Sequence, residues 1–129
     1  MSDYYARTTG KYAIPPNIRR QILYLVRDYD RMVEEAEAIL SEGMLPADGM
    51  PHGNSRSDEV LRKAAKRESL LRKISAIDRA FDLIPQEYRS AVRANLMYRT
   101  RYPDYADRTT FWRYRARFFY HLAQMLNMI

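Results

Sequence analysis

Eight arginines fall within residues 89–129: Arg89, Arg93, Arg99, Arg101, Arg108, Arg113, Arg115 and Arg117. No lysine accompanies them, and the only carboxylates are Asp104 and Asp107. That segment therefore carries +6, as much as the formal charge of the whole 129-residue chain. Guanidinium forks fit phosphate oxygens and the guanine edge better than ammonium groups do. Tyrosines and Trp112 interleave with the arginines. A localised basic, aromatic end is the electrostatic footprint of nucleic-acid binding. The competing reading is a solvated helix surface with counter-charges elsewhere.

Other chemistries find little material. There is no cysteine, hence no disulfide framework, thiolate metal site or cysteine nucleophile. The two histidines, His52 and His121, lie far apart in sequence, and His52 has no Cys, His or carboxylate cage near it. No metal site or cofactor is expected. No glycine-rich phosphate loop and no nucleophile–base set is present, so the reading is non-catalytic. Glu34, Glu35 and Glu37 read as a solvated helix face rather than as paired catalytic acids. No window approaches eighteen uncharged apolar residues, and MSDYYARTTGKYAIPP lacks an apolar signal core. Neither membrane insertion nor secretion is expected.

The elements that must position these residues are helical. Residues 1–16 close on Pro15-Pro16 and read as an extended arm carrying Tyr4, Tyr5, Arg7, Lys11 and Tyr12. It could contact DNA or pack on its own domain. Residues 17–41 read as one long helix with Asn17 as cap, because Ile18, Ile22, Leu25, Tyr29, Met32, Ala36 and Ile39 step alternately by four and three. Residues 42–57 contain three Gly and two Pro without periodicity and read as a flexible loop. A second long helix over 58–84 begins at Ser57-Asp58 and repeats the step at Leu70, Ile74, Ile77, Phe81 and Ile84. Two such helices joined by a loop predict an antiparallel hairpin over 17–84; a homodimer through the same heptad seam is the alternative. Pro85 opens a third helix running to about Thr100, with Tyr88, Val92, Leu96 and Met97 on its inner face.

Asp107 or Thr109 caps a last helix that reaches the C-terminus. On a helical wheel, Trp112, Phe119, Leu122, Ala123, Leu126 and Ile129 fall on one side, with Phe111, Phe118 and Met125 at its margin. Thr110, Arg113, Tyr114, Arg117, His121 and Gln124 fall on the other. Phe111, Trp112, Phe118 and Phe119 at this spacing are core rather than a base-stacking platform. Hydroxyls and arginines near the start of a helix that follows a short break suit a recognition helix. Ordinary solvated arginines on an amphipathic helix are the simpler reading, and charge localisation weighs against it.

The order of a long first helix, a Pro/Gly loop, SDEVLRKAAKRESLLRKISAIDRAFDLIPQEYRSAV and YADRTTFWRYRARFFYHLAQML resembles phage transcriptional regulators of the RinA/ArpU type. The resemblance covers residues 17–129. It rests on Ser57-Asp58, on Ile84-Pro85 with Tyr88, and on Asp107-Arg108-Thr109-Thr110-Phe111-Trp112-Arg113-Tyr114-Arg115. Their C-terminal part is similar to the promoter-reading helix-turn-helix of sigma factors, whose last helix often begins with Ser followed by Thr, two aromatics and Arg. Asp107 stands at the cap here. Between Pro103 and Asp107 there is no room for a scaffold helix, so the helix over 85–100 takes that role across a longer turn. The resemblance implies a phage or prophage protein acting on late-gene promoters in the cytoplasm of a bacterial host.

The expectation is an all-α protein with an N-terminal arm (1–16), a long helical hairpin (17–84) and a C-terminal helix-turn-helix-like unit (85–129). Its expected partner is double-stranded DNA and its role activation of transcription. Thr109, Thr110, Arg113, Tyr114 and Arg117 would contact bases, while Arg99, Arg101, Arg108 and Arg115 would hold phosphates. The alternatives are a small DNA-packaging subunit, or a non-catalytic adaptor whose heptad helices hold RNA polymerase or a phage protein.

Overall fold

A computed structural model of the chain describes residues 10–43, 54–104 and 107–129. The described residues are all-α, without a strand, in five helices: α1 (Pro16–Arg27), α2 (Tyr29–Gly43), α3 (Asn54–Asp82), α4 (Gln86–Tyr98) and α5 (Arg108–Met125). Most of the predicted arm, and residues 44–53 with His52, lie outside them.

The chain falls into two compact units. One comprises 1–28 with 76–129, the other 29–75. The predicted division at 84/85 is therefore displaced: the end of α3 belongs with α4 and α5, and the first helix is shared between units. The cause lies at Asp28, where the single helix expected over 17–41 breaks. Asp28 leaves helical geometry (φ −90°, ψ 3°), and its N–H donates to the carbonyls of both Tyr24 and Leu25. Before the break Ile22 and Val26 are buried; after it, Met32 and Ala36. At about 100° per residue, the first pair would point roughly 80° away from the second on a straight helix. The two cores thus need different rotations, and the heptad step disguised two short faces as one seam.

Several boundaries also move. Pro15 occupies the cap position and Pro16 the first turn, so Asn17 lies inside α1; proline costs nothing there, since that N–H would go unpaired anyway. Ser57 and Asp58 lie inside α3, not at its cap. Pro85 caps α4 from outside. The last helix stops at Met125, closed by Asn127 in the left-handed region (φ 57°), with Met128 N–H donating to Ala123 O at 2.9 Å. Asparagine tolerates that conformation better than most residues.

In the unit 29–75, α2 and the first part of α3 bury Met32, Ala36 and Leu70. Arg67 Nε donates to Ala36 O at 3.2 Å, and Lys66 meets the Glu35 carboxylate at 2.7 Å. Lys66, aided by Arg31, holds the Glu35 carboxyl below its ordinary value. The pair is open to solvent, and such pairs contribute little stability. Leu40 and Leu61 of this unit stay 48% and 68% exposed.

In the other unit, α1 packs on both α4 and α5, and these pack on each other. The core gathers Ile22 and Val26, then Ile77, Ala80 and Phe81 from the end of α3. It is completed by Val92 and Leu96 from α4 and by Phe111, Phe118, Phe119, Leu122 and Ala123 from α5. Phe81 and Phe118 stack with centroids 4.2 Å apart. Arg27 Nε ties α1 to α4 through Leu96 O at 3.2 Å.

Candidate nucleic-acid interface

The eight C-terminal arginines divide into two groups. Arg89 closes the end of α3: its Nε and Nη2 donate to Phe81 O, Asp82 O and Ile84 O at 3.0–3.2 Å. Past the last full turn no further helical N–H reaches these carbonyls, and the guanidinium supplies donors there, sharing Phe81 O with the Ile84 N–H at 3.0 Å. Arg93 pairs with Asp78 at 3.6 Å and lies over the Phe81 ring at 5.1 Å. Arg115 lies over Trp112 at 4.7 Å and Phe119 at 5.2 Å. Arg117 sits between Tyr12 at 5.2 Å and Tyr114 at 5.8 Å. All four are half-buried.

Arg99, Arg101, Arg108 and Arg113 are exposed, and none has an ion pair among the described residues. They occupy the connection from α4 to α5 and the first turns of α5. That local concentration of unneutralised guanidinium is what a phosphate backbone requires.

Two termini set this region. α4 ends where Arg99 turns left-handed (φ 59°), its N–H on Asn95 O at 3.0 Å and Thr100 N–H on Ala94 O at 3.3 Å. Asn95 Nδ2 braces the turn by donating to Thr100 O at 3.0 Å. A non-glycine residue pays about 1–2 kcal/mol for that conformation. Arg99→Gly should therefore leave stability unchanged or raise it by up to about 1 kcal/mol, glycine's greater unfolded entropy offsetting part of the gain. Chemical denaturation measures it; a loss above about 1 kcal/mol would show that the Arg99 side chain supports the fold.

α5 begins at the Asp107 cap, where Oδ1 accepts from Thr109 N–H at 3.0 Å. Its other oxygen stands 3.5 Å from Thr110 Oγ1, so this hydroxyl faces the cap. Tyr102 anchors the connection by stacking on Phe111, centroids 4.4 Å apart and 11° from parallel. Its hydroxyl is buried, without a hydrogen-bond partner among the described residues. Burial pushes its pKa above the ordinary value, with Arg115 opposing.

The rotation of α5 differs from the wheel expectation. Phe111 and Phe118 are fully buried, not marginal, whereas Trp112 and Leu126 are half-buried and Ile129 is 50% exposed. Of the expected outward face, Arg113 and Gln124 are exposed and Thr110, Tyr114, Arg117 and His121 are half-buried; Thr109, expected as a base contact, is exposed as well. Tyr114 packs against Tyr88, centroids 5.0 Å apart, and His121 lies beside Tyr12 and Tyr120. Thr109 and Arg113, four residues apart, share one face. Among the expected base-contacting residues, the structure leaves these two open and engages Thr110, Tyr114 and Arg117 internally. Among the expected phosphate contacts it leaves Arg99, Arg101 and Arg108 open and engages Arg115. Tyr12, named in the sequence only as part of the arm, packs on Tyr120 at 5.2 Å.

The connection over 99–107 is longer than the three- or four-residue turn of a helix-turn-helix. Among the described residues no three His, Asp or Glu side chains converge as a metal site. No described helix is long and apolar enough to cross a membrane. No family model, curated protein or solved structure matches the chain.

Proposed function

We propose that the chain is a non-catalytic, DNA-binding activator of transcription, with the start of α5 in the major groove of a promoter. The observation that carries this reading is the set of four exposed arginines without ion-pair partners among the described residues, gathered where α4 hands over to α5. In this reading Arg113 and Thr109 read base edges, and Arg99, Arg101 and Arg108 hold phosphates. α1 and α4 set the pose of α5, the work a scaffold helix does in a helix-turn-helix. The resemblance to RinA/ArpU-type regulators adds a phage or prophage setting, late genes as targets and the bacterial cytoplasm as the place of action.

The test is a salt titration of binding to the DNA flanking the protein's own gene and to random DNA. Arg113→Ala should cost about 1–3 kcal/mol on the specific site and much less on random DNA, because a bidentate base contact is lost. Arg108→Ala should weaken both alike and lower the slope of log K against log salt by about one. Equal, small effects of both substitutions everywhere would leave the basic surface as a solvated face.

A second reading, a helical adaptor holding RNA polymerase or a phage protein, draws on Leu40 and Leu61 left exposed in the unit 29–75. Absence of any salt-dependent DNA binding would put it first.

A further inference from the structure

A cleft of about 250 Å3 opens between the segment preceding α1, the corner joining α3 to α4, and the middle of α5. Ala80, Leu83, Ile84, Pro85 and Phe118 make its apolar lining. Leu83 is 57% exposed and marks the side open to solvent. A cavity of roughly 150 Å3 accepts benzene, so this one has space for a bicyclic ring with a small substituent.

The cleft's polar lining is a guanidinium, an imidazole and two phenols. Arg117 and His121 enter from α5 with the rings of Tyr12 and Tyr114, and no carboxylate lines the space. The Arg117 guanidinium is held between the two tyrosines. Ring faces attract its charge but offer no lone pair to its N–H donors. The guanidinium makes no hydrogen bond or ion pair among the described residues; Nε is shielded from solvent, which leaves the two Nη nitrogens as its donors toward the cleft. A guanidinium without an acceptor is costly where apolar walls replace water, and a carboxylate bridging the two Nη groups is the acceptor that fits that edge.

We infer that this cleft binds a small aromatic monocarboxylate. The ring lies on Phe118, Leu83 and Ile84, and the carboxylate takes the Arg117 fork with His121 as a second donor. The planar carboxylate matches the guanidinium edge, and the apolar remainder of the lining favours an aromatic body over a strongly hydrated phosphate. The inference concerns α5 away from its DNA-facing start and does not depend on DNA binding.

The experiment titrates the full chain, without DNA, with 1-naphthoate and with its neutral counterpart 1-naphthalenemethanol, followed by calorimetry. Naphthoate should bind with a Kd of about 1 mM or tighter, and the alcohol at least about tenfold more weakly. Arg117→Met should bring naphthoate down to the level of the alcohol. Leu83→Trp, at an exposed position where folding is not at stake, should weaken both ligands by obstructing the cleft. Equal affinity of wild type for the two probes would overturn the proposal. So would undiminished naphthoate binding in Leu83→Trp, or no binding of naphthoate at several times that concentration. If Arg117→Met loses helicity, the probe pair and Leu83→Trp still decide.

Discussion

Ile77→Asp unfolds the chain or leaves it barely stable at room temperature, whereas Leu25→Asp leaves it folded and only weakened. Both positions belong to heptad steps in the sequence, so periodicity alone ranks them equally. Ile77 has no solvent exposure and lies among Ala76, Ala80 and Phe81, all buried, on the last turns of α3. A carboxylate there has no cation assigned to it and no path to water, at a cost of about 3–5 kcal/mol or more. Domains of this size are stable by only about 5–15 kcal/mol. Leu25 is half-buried on α1, one residue from the fully buried Val26. An aspartate there can turn its carboxylate into solvent, and the loss is mainly that of partial apolar burial, about 1–2 kcal/mol. Urea unfolding followed by circular dichroism separates the two. Equal losses would mean that both helices bury these positions alike, contrary to the structure.

Phe118→Ala should cost about 3–5 kcal/mol and Trp112→Ala less, although Trp112 is the larger side chain. Phe118 is 1% exposed, stacks on Phe81 at 4.2 Å and meets the edge of Phe119 at 5.8 Å. Truncation opens a cavity where α3 and α5 meet, and rigid helices close it poorly. Trp112 keeps a solvent-facing side, so its removal exposes surface rather than making a void. Arg115 loses an aromatic partner there but keeps Phe119. The stacked pair offers a sharper check: the double-mutant cycle of Phe81→Leu with Phe118→Leu should return a coupling of about 0.5–1.5 kcal/mol. Melting curves in which Trp112→Ala is the more damaging would restore the rotation expected from the helical wheel.

The misplacement of α5 has a definite source. Phe111, Phe118, Phe119, Leu122 and Ala123 are spaced by seven, one, three and one residues, a pattern the sequence displays. Yet this helix is apolar and aromatic over much of its circumference, and the wheel permits a centre at Trp112 nearly as well as one at Phe118. Only the surfaces of α1, α4 and the end of α3 select between them. The arginines show the same limit. Their excess in residues 89–129 is plain in composition, and the rings beside Arg115 and one of those beside Arg117 stand three or four residues away on α5 itself; the carbonyl groups clasped by Arg89 and the Tyr12 ring on Arg117 come from other elements. Four of the eight arginines are half-buried among these neighbours, and four stay exposed.

The sequence by itself determined features that depend on a residue's near neighbours along the chain. The all-helical class follows from apolar steps of three and four; of the seam Leu70, Ile74, Ile77, Phe81 and Ile84 all but the half-buried Ile74 are buried; and the sequence narrows the cap of α5 to Asp107 or Thr109, of which Asp107 caps, on Thr109 N–H. Helical period and capping act over one or two turns, so they are legible locally. The tertiary structure decided what depends on distant surfaces: the break at Asp28, the partition into 29–75 and the remainder, the rotation of α5, and which arginines stay open. A helix has the same period whichever side is buried. Its rotation is chosen by the total apolar area it can cover against its neighbours, and that sum exists only after the neighbours are in place.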